Sequence, residues 1–376
     1  MWFNRPAVTG RELDYMREAL AAGHISGDGG FTKKCHAVLE AVTGAHRAML
    51  TPSCTHALEM AALLLGLGPG DEVICPPFTF VSTVNAIVLR GARPVFVDVR
   101  PDTLNIDERA VEAAVTPRTR AIMVVHYAGV ACEMDVICDV AARHGLVVVE
   151  DNAHGLFAAY RGRPLGSIGA LATLSFHETK NITCGEGGAL LVNDPGYVER
   201  AEIIREKGTN RSRFFRGQVD RYTWVDIGSS YLPSDLLAAY LLAQIEARQE
   251  IQRRRHAIWA AYAAALPAWA QRIGARLPVV PAHCEHPAHL FYMLMPSLET
   301  RSALIEHMKQ RQVLLVFHYQ PLHLSDVGLR LGGRVGQHPV AERVADMLVR
   351  LPIHYGMSDG DVARVIEALE EFGRPA

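Results

Sequence analysis

The sequence has no excess of charge of either sign. Its 376 residues carry 38 lysine and arginine side chains against 40 aspartate and glutamate side chains, a formal net charge of −2. Proteins that bind nucleic acid or anionic membrane surfaces normally carry a marked basic excess. The balance therefore argues against both kinds of partner.

Long apolar runs are also absent. No stretch approaches the ~18 unbroken apolar residues that a bilayer-spanning helix needs. The first residues, MWFNRPAVTG, lack the basic and apolar regions of a secretory signal. We therefore expect a cytoplasmic protein without membrane contact.

Cysteine is sparse and irregularly spaced. The seven cysteines, at 35, 54, 75, 132, 138, 184 and 284, are an odd number and form no CxxC motif. This pattern favours reduced thiols over a disulfide framework or a zinc site. We expect no metal.

Short apolar, β-branched runs alternate with helical patterns from residue 48 onward, as expected of an α/β fold with a mostly parallel sheet covered by helices. The predicted strands are Glu72–Cys75, Pro94–Val99, Ala121–His126, Val147–Asp151, Leu171–Phe176 and Gly188–Val192, and the clearest helical patterns between them are Ala57–Leu67 and Cys132–His144. The Gly- and Pro-rich segment 160–169 predicts a turn-bounded ribbon.

The chain length favours two domains. A helical pattern begins near Asp235 and continues to about Leu266, and a last one covers Asp359–Phe372. We predict a large α/β domain over residues 1–235, with an arm over about the first 12, and a smaller α+β domain over residues 236–376.

A single lysine, Lys180, lies in the polar, glycine-rich segment SFHETKNITCGEGG after a predicted strand. A lysine that forms a Schiff base must be partly deprotonated, which needs a sheltered position near other positive charge. Lys180 fits this description, although most loop lysines are simply solvated.

The strand VVVEDNAH ends in Asp151, with His154 three residues later. A carboxylate at the carboxyl end of a parallel strand lies where α/β folds bind ligands. Facing a pyridine nitrogen, it would keep that nitrogen protonated, so that the ring acts as an electron sink. From the residues alone, Asp151 could equally cap a helix.

Two further segments suggest ligand contacts. TPSCTHA opens a helix with Ser53, Cys54, Thr55 and His56, where free N–H groups and the helix dipole could bind a phosphate or form an ordinary N-cap. In CPPFTFVS, Phe80, or less favourably Phe78, could stack on a flat heterocycle or belong to the core.

These motifs occur together with PVFVDVRPDTLNID and VHYAGVACEMD in an order and spacing that strongly resemble the DegT/DnrJ/EryC1/StrS sugar aminotransferase family. The resemblance covers essentially the whole chain. It implies a PLP-dependent transferase of fold type I, similar to aspartate aminotransferase, that binds pyridoxal 5'-phosphate. It also implies a homodimer whose active sites are shared between subunits.

The resemblance assigns roles residue by residue. Lys180 matches the family's Schiff-base lysine, Asp151 the partner of the pyridine nitrogen, and His154 a residue near the ring hydroxyl. Ser175 matches a phosphate ligand beside Thr55 and His56, and Phe80 matches the aromatic that stacks on the ring. Ser230 matches a position where many relatives have an asparagine that reaches the neighbouring subunit's phosphate.

Within the family, AEIIREKGTNRSRFFRGQVDRYTW, DIGSSYLPSDLLAAYL and VFHYQPLH resemble members that aminate C4 of a dTDP-linked 4-keto-6-deoxyhexose with L-glutamate. On this basis we predict that Arg211, Arg213, His318 and Tyr319 contact the sugar nucleotide. The alternatives are a transaminase for another dTDP- or UDP-linked keto-sugar, for example one with a gluco-configured 4-amino product, and a non-catalytic, PLP-binding regulatory protein. Sugar dehydratases of the family have histidine where this chain has Lys180, so the lysine argues against dehydration. A nicotinamide dehydrogenase would need a GxGxxG motif in the first strand-to-helix turn, and the TPSCTH segment there has no glycine.

Overall fold

The computed structural model describes residues 1–373, so the last three residues of the predicted C-terminal domain lie outside it. The strands are β1 Arg47–Thr51, β2 Glu72–Cys75, β3 Arg93–Phe96, β4 Thr119–Val125, β5 Val147–Asp151, β6 Ala159–Tyr160, β7 Arg163–Pro164, β8 Leu171–Ser175, β9 Gly188–Val192, β10 Cys284–Glu285, β11 Phe291–Leu294 and β12 Leu348–Leu351.

The α-helices are α1 Glu12–Ala21, α2 Gly30–Thr43, α3 Cys54–Leu64, α4 Val81–Val88, α5 Glu108–Val111, α6 Met134–His144, α7 Val198–Arg205, α8 Arg211–Phe215, α9 Asp235–Glu246, α10 Arg248–Ala265, α11 Pro267–Ile273, α12 Leu298–Gln310, α13 Asp326–Arg330, α14 Pro339–Met347 and α15 Asp359–Glu371. None of the helices within residues 1–373 is long and apolar enough to cross a bilayer.

Seven strands form the central sheet, in the order β1-β9-β8-β5-β4-β2-β3. β9 runs antiparallel to both β1 and β8, whereas the other neighbouring pairs are parallel. The mostly parallel sheet predicted from the alternating pattern is thus confirmed. Its strands are mostly apolar, as expected where helices cover both faces, with α3 and α4 on one face and α2, α6 and α9 on the other.

The segment predicted as a ribbon is a short antiparallel hairpin of β6 and β7, and β10 adds to it from the C-terminal part of the chain. Glu150 attaches this hairpin to the sheet. Its carboxylate accepts hydrogen bonds from the backbone N–H groups of Gly166, Ile168 and Gly169 at 2.6–2.9 Å, and pairs with His126 at 2.9 Å. The hairpin is therefore held beside the end of β5.

The single helical pattern predicted from residue 235 to 266 forms two helices, α9 and α10, which separate at Ala247. Each faces a different core. Ala238 and Leu242 on α9 pack with α1 and α2 against the large sheet, whereas Ile258 and Tyr262 on α10 belong to the C-terminal core. The domain boundary at residue 235 remains a prediction.

The C-terminal core is built on the antiparallel pair β11 and β12, covered by α10, α11, α12 and α15. A further cluster joins it to the large sheet, where Phe78 and Tyr127 pack against Leu290, Tyr292 and Leu348. This junction brings the C-terminal strand β12 close to the carboxyl ends of the parallel strands.

Candidate active site

A cavity of about 590 Å³ lies at the carboxyl ends of β4 and β5, between the N-terminus of α3 and residues of the C-terminal part of the chain. This edge of an α/β sheet is the usual ligand position. The cavity brings together most of the residues predicted from sequence: Ser53, Cys54, Thr55, Phe80, Asp151, His154, Ser175, Lys180, His318 and Tyr319.

Lys180 lies in the turn after β8, where its backbone N–H donates to the carbonyl oxygen of His177 at 2.9 Å. Its side chain is partly buried and lines the cavity. Burial lowers the pKa of its ammonium group to about 8, and the positive charge of Arg350 acts in the same direction, while Cys54 and Asp151 oppose it. About a tenth of Lys180 is therefore the neutral, nucleophilic amine at pH 7, far more than of an ordinary exposed lysine.

Asp151 is the last residue of β5 and is buried. The Thr83 hydroxyl donates to its Oδ2 at 2.7 Å, and the Ala153 N–H donates to its Oδ1 at 3.2 Å. Burial raises the pKa of this carboxyl group, and the two hydrogen bonds act against that rise. No helix begins at Asp151, so the carboxylate is not an N-cap. Its hydrogen bonds orient it at the cavity wall.

The N-terminus of α3 faces the same cavity. The Ser53 side chain caps the helix by accepting the His56 N–H at 3.2 Å, which leaves the N–H groups of Cys54 and Thr55 without an acceptor among the described residues. Free N–H groups at a helix N-terminus form an anion site. Ser175, at the end of β8, lines the cavity beside them.

Gly188 lets the sheet approach this helix. A Cβ at Gly188 would lie 2.3 Å from the backbone nitrogen of Cys54 and 2.3 Å from the carbonyl carbon of Ser53. Any larger residue would push β9 and the N-terminus of α3 apart. The second glycine of the EGG sequence is therefore required by the close contact between β9 and the N-terminus of α3.

Four aromatic rings form another wall of the cavity. The rings of His154 and His289 lie 4.4 Å apart, centre to centre, and those of His318 and Tyr319 lie 3.6 Å apart. Burial holds the pKa of all three histidines well below the usual value, so they are neutral near pH 7. The Ala128 N–H donates to His154 Nδ1 at 3.3 Å, which leaves the proton of the neutral ring on Nε2.

Phe80 lies at the cavity mouth with 56% of its side chain exposed, its ring centre 6.3 Å from that of Tyr319. The alternative candidate, Phe78, is fully buried in the junction between the two cores. The geometry therefore favours Phe80 as the aromatic available to a ligand.

Four predicted site residues do not line the cavity. His56 contacts the Ser53 hydroxyl through its Nδ1 at 3.1 Å and packs beside Tyr231. Ser230 is exposed on the surface. Arg211 and Arg213 form ion pairs with Glu206 at 2.6 Å and Glu199 at 2.9 Å.

The structure also adds residues to the cavity that the motifs did not indicate. They include Phe3 and Asn4 from the N-terminal arm, Thr79 just before α4, Ser82 in the first turn of α4, and His289, Arg255, Phe317 and Arg350 from the C-terminal part. One sequence signal could have marked Arg350. It is a charged residue within the otherwise apolar strand LVRL, which is unusual unless the charge has a role.

No group of three or more His, Cys, Asp and Glu side chains in the described part of the chain is arranged to hold a metal ion.

Comparison with known proteins identifies the family and the fold of this chain. The family model described as the DegT/DnrJ/EryC1/StrS aminotransferase family matches residues 6–370. The spore coat polysaccharide biosynthesis protein SpsC of Bacillus subtilis is 34% identical over 382 residues, covering 100% of this chain and 97% of SpsC.

Two solved structures are also similar. Spr1654 of Streptococcus pneumoniae, described as a sugar aminotransferase, superposes in its PMP form with a TM-score of 0.92 at 27% identity, covering 98% of each chain. DesV of S. venezuelae superposes with a TM-score of 0.88 at 32% identity, covering 97% of this chain and 95% of DesV.

The Spr1654 structures include both PLP and PMP forms. The cofactor of the family is thus pyridoxal 5'-phosphate, and the large sheet with its covering helices is the type I fold of PLP-dependent aminotransferases. Since the family model spans nearly the whole chain and a relative above 30% identity covers all of it, this chain belongs to the DegT/DnrJ/EryC1/StrS family of sugar aminotransferases.

Proposed function

We propose that this enzyme transfers the amino group of L-glutamate to C4 of dTDP-4-keto-6-deoxyglucose, which gives dTDP-4-amino-4,6-dideoxygalactose and 2-oxoglutarate. The observation that carries the aminotransferase chemistry is one cavity shared by Lys180, Asp151 and the N-terminus of α3. The choice of sugar rests on the resemblance of segments 201–224, 226–241 and 316–323 to the transaminase that makes this product for enterobacterial common antigen.

The cavity fits pyridoxal phosphate on three observations. The free N–H groups of Cys54 and Thr55 suit the phosphate. The buried Asp151 suits the pyridine nitrogen. Lys180, with a pKa lowered to about 8, suits covalent attachment through Nζ. Ser175 would add a hydroxyl to the phosphate, and Phe80 would cover one face of the ring.

When bound, pyridoxal phosphate supplies an electron sink for the carbanion that forms as the donor loses its Cα proton. Asp151 would keep the proton on the pyridine nitrogen, and Thr83 holds the Asp151 carboxylate for that contact at 2.7 Å. His154 would contact the cofactor near its ring hydroxyl through the protonated Nε2. The rings of His154 and His289, tilted against each other with centres 4.4 Å apart, would cover that side of the cofactor.

Lys180 would carry the proton in both half-reactions. Once free, Nζ would accept the Cα proton of glutamate in the first half-reaction, and in the second it would work in the reverse sense and deliver a proton to C4 of the sugar, which carries no hydrogen as a ketone. An amine with a pKa of about 8 suits this role, because both the acid and the base form are available near neutral pH.

We further propose that Ser230 and the arginine-rich segment act in a homodimer. Ser230 is exposed, as a residue that reaches the phosphate site of a second subunit must be. Arg211 and Arg213 would grip the nucleotide diphosphate, since a planar guanidinium binds phosphate oxygens in two places. They would have to exchange Glu206 and Glu199 for the diphosphate. His318 and Tyr319 would contact the sugar.

The proposal is tested by incubating the enzyme with pyridoxal phosphate, L-glutamate and dTDP-4-keto-6-deoxyglucose. We expect stoichiometric 2-oxoglutarate and a 4-amino sugar whose proton couplings by NMR show an axial amine. An equatorial amine would keep the enzyme class but refute the galacto product. Absence of turnover beside rapid use of a UDP-linked keto-sugar would refute the nucleotide as well.

A further inference from the structure

His56 contacts a hydroxyl of the anion site without lining the cavity itself. The Ser53 side chain, which does line the cavity, accepts the His56 backbone N–H at 3.2 Å, and its Oγ lies 3.1 Å from Nδ1 of the same residue. Both side chains are half-buried. The imidazole of His56 therefore determines in which direction the Ser53 hydroxyl proton points.

The protonation state of His56 orients this hydroxyl in one of two ways. When Nδ1 is unprotonated, the Ser53 hydroxyl donates to it, and its proton is not available to an anion. When Nδ1 carries a proton, it donates to Oγ, which also accepts the His56 N–H, so the hydroxyl proton is free to point into the cavity. Only the charged imidazolium combines this orientation with a positive charge.

The other positive charges of the cavity are engaged elsewhere. Within residues 1–373 the lysine and arginine side chains that line it are Lys180, Arg255 and Arg350. Lys180 would be bonded to the cofactor, and both arginines donate to backbone carbonyl oxygens of the C-terminal part. A phosphate monoester carries roughly 1.5 to 2 negative charges near pH 7, whereas a helix N-terminus supplies about half a positive charge. An imidazolium at His56 would reduce this deficit.

The groups on the other side of the His56 ring leave room for such a charge. The ring packs against that of Tyr231, with centres 5.4 Å apart, and the Tyr231 hydroxyl donates to Glu59 on α3 at 3.2 Å. Burial, together with the Glu59 carboxylate, raises the pKa of Tyr231 to about 12, so this phenol stays neutral where histidines titrate. The charges around the ring pair are thus Glu59 and, acting on the same phenol, Arg90 after α4. They are of opposite sign.

We propose that His56 is a positioning residue for the cofactor phosphate: when the phosphate binds at α3, His56 takes up a proton from solvent, and the Ser53 hydroxyl turns to donate to the phosphate. The inference rests on the placement of pyridoxal phosphate in the proposed function. One N–H bond forms on the imidazole and no other covalent bond changes. Because the phosphate and the imidazolium stabilise each other, phosphate affinity should fall as the pH rises through the range in which histidine loses its proton.

The test uses 4'-deoxypyridoxine 5'-phosphate, which lacks the aldehyde and cannot bond to Lys180. It is titrated by calorimetry into the cofactor-free full-length protein between about pH 6 and pH 8. The comparison is with His56→Asn, whose amide can donate to Ser53 at every pH but takes up no proton. We expect the affinity of the wild type, relative to that of His56→Asn, to fall on the order of five- to tenfold over this range. The ratio cancels the titration of the phosphate itself.

A proton count gives a second measurement. Titrations near pH 7 in two buffers of different ionisation enthalpy should show the wild type taking up on the order of half a proton more than His56→Asn. His56→Gln, with the same amide on a longer side chain, repeats the comparison if thermal melting shows that His56→Asn does not fold. The control is His46→Asn, which removes an exposed histidine outside the cavity and should behave as the wild type.

The outcomes separate this inference from the proposed function. If the wild type aminates the keto-sugar with glutamate, but its affinity ratio and proton count match those of the His56 variants, only the role of His56 is refuted. If the proton uptake depends on His56 and no keto-sugar is aminated, the inference stands and the proposed reaction fails. If the wild type does not bind the analogue at any pH, both the phosphate site at α3 and the role of His56 are refuted.

Discussion

Lys180 is the residue whose removal tests the site most directly. Lys180→Ala removes the amine that would hold the cofactor, so we expect the purified protein to lose its yellow absorbance, at roughly 400 nm for a protonated pyridoxal Schiff base. Turnover should fall to background. The measurements are the absorbance spectrum and 2-oxoglutarate release. An active Lys180→Ala enzyme would exclude the assignment.

Asp151 should affect catalysis more than cofactor binding. Asp151→Asn keeps the shape of the side chain and can still accept the Thr83 hydroxyl, but an amide cannot hold a proton on the pyridine nitrogen. We expect a loss of roughly 100-fold or more in turnover, the scale seen when a key electrostatic partner is removed. Near-normal turnover with the cofactor bound would show that Asp151 has no catalytic role and only stabilises the turn at Ala153.

The lowered pKa of Lys180 gives a pH dependence. Burial favours the neutral amine, so its folded-state pKa of about 8 lies below the usual lysine value. Cofactor uptake by the cofactor-free enzyme should therefore be slow near pH 6.5, rise through about pH 8 and level off near pH 9, whereas uptake by a free lysine analogue keeps rising toward a pKa of about 10.4. A rate that still rises steeply above pH 9.5 would contradict the lowered pKa.

The same pH profile connects Lys180 with Arg350. The Arg350 charge lowers the pKa of Lys180, so Arg350→Gln should move the midpoint of cofactor uptake to higher pH. The control Arg334→Gln removes an exposed arginine charge outside the cavity and should leave the midpoint in place. Stopped-flow absorbance over pH 6.5 to 10 measures both variants. A midpoint in Arg350→Gln that stays in place or moves to lower pH would show that the Arg350 charge does not lower the pKa of Lys180.

Residues within continuous motifs were predictable, and residues brought in by tertiary contacts were not. Lys180, Asp151 and Ser53 each lie at or just after the end of a strand whose pattern is local, so the topology of a parallel sheet gathers them at one edge. Arg350, His289 and Phe3 reach the cavity only because the C-terminal core and the N-terminal arm pack there. No local pattern specifies that packing.

At the scale of elements, the close contact between β9 and α3 can be tested by adding one carbon atom at Gly188. Gly188→Ala places a Cβ 2.3 Å from Cys54 N, so the helix N-terminus must move. We expect about 1–3 kcal/mol of destabilisation together with weaker binding of the cofactor. The control is Gly68→Ala, where a Cβ meets no atom within 4 Å. An unchanged melting temperature and cofactor affinity in Gly188→Ala would show that β9 and α3 have room for a Cβ at this position.

The elements themselves differ in how far the sequence determines them. β2, β5 and β9 begin and end at the predicted residues, because each is a buried apolar run bounded by turn residues. Two features were not predictable locally. β9 runs antiparallel to its neighbours, which depends on the chain's route through the Lys180 turn. The break at Ala247 separates two cores within one continuous helical pattern.

At the scale of the whole molecule, one segment exposes an unusual amount of apolar surface. Side chains between residues 214 and 227 that remain exposed include Phe215 at 69%, Trp224 at 75% and Val225 at 49%. Exposed apolar groups clustered on one segment commonly mark a protein interface. This segment leads directly to Ser230, the residue proposed to reach a second subunit.

We therefore expect a homodimer that uses this segment. Sedimentation should give twice the 41.2 kDa mass of one chain, and Trp224→Glu should shift the protein toward monomer, because a buried, unpaired carboxylate is costly at an interface. Since Ser230 would then leave its partner's phosphate, the same variant should bind pyridoxal phosphate more weakly. Val335→Glu, at a side chain 81% exposed in the C-terminal part, is the matched control and should remain dimeric. A fully active monomer, in either the wild type or Trp224→Glu, would show that each subunit completes its own site and that the exposed segment has another use.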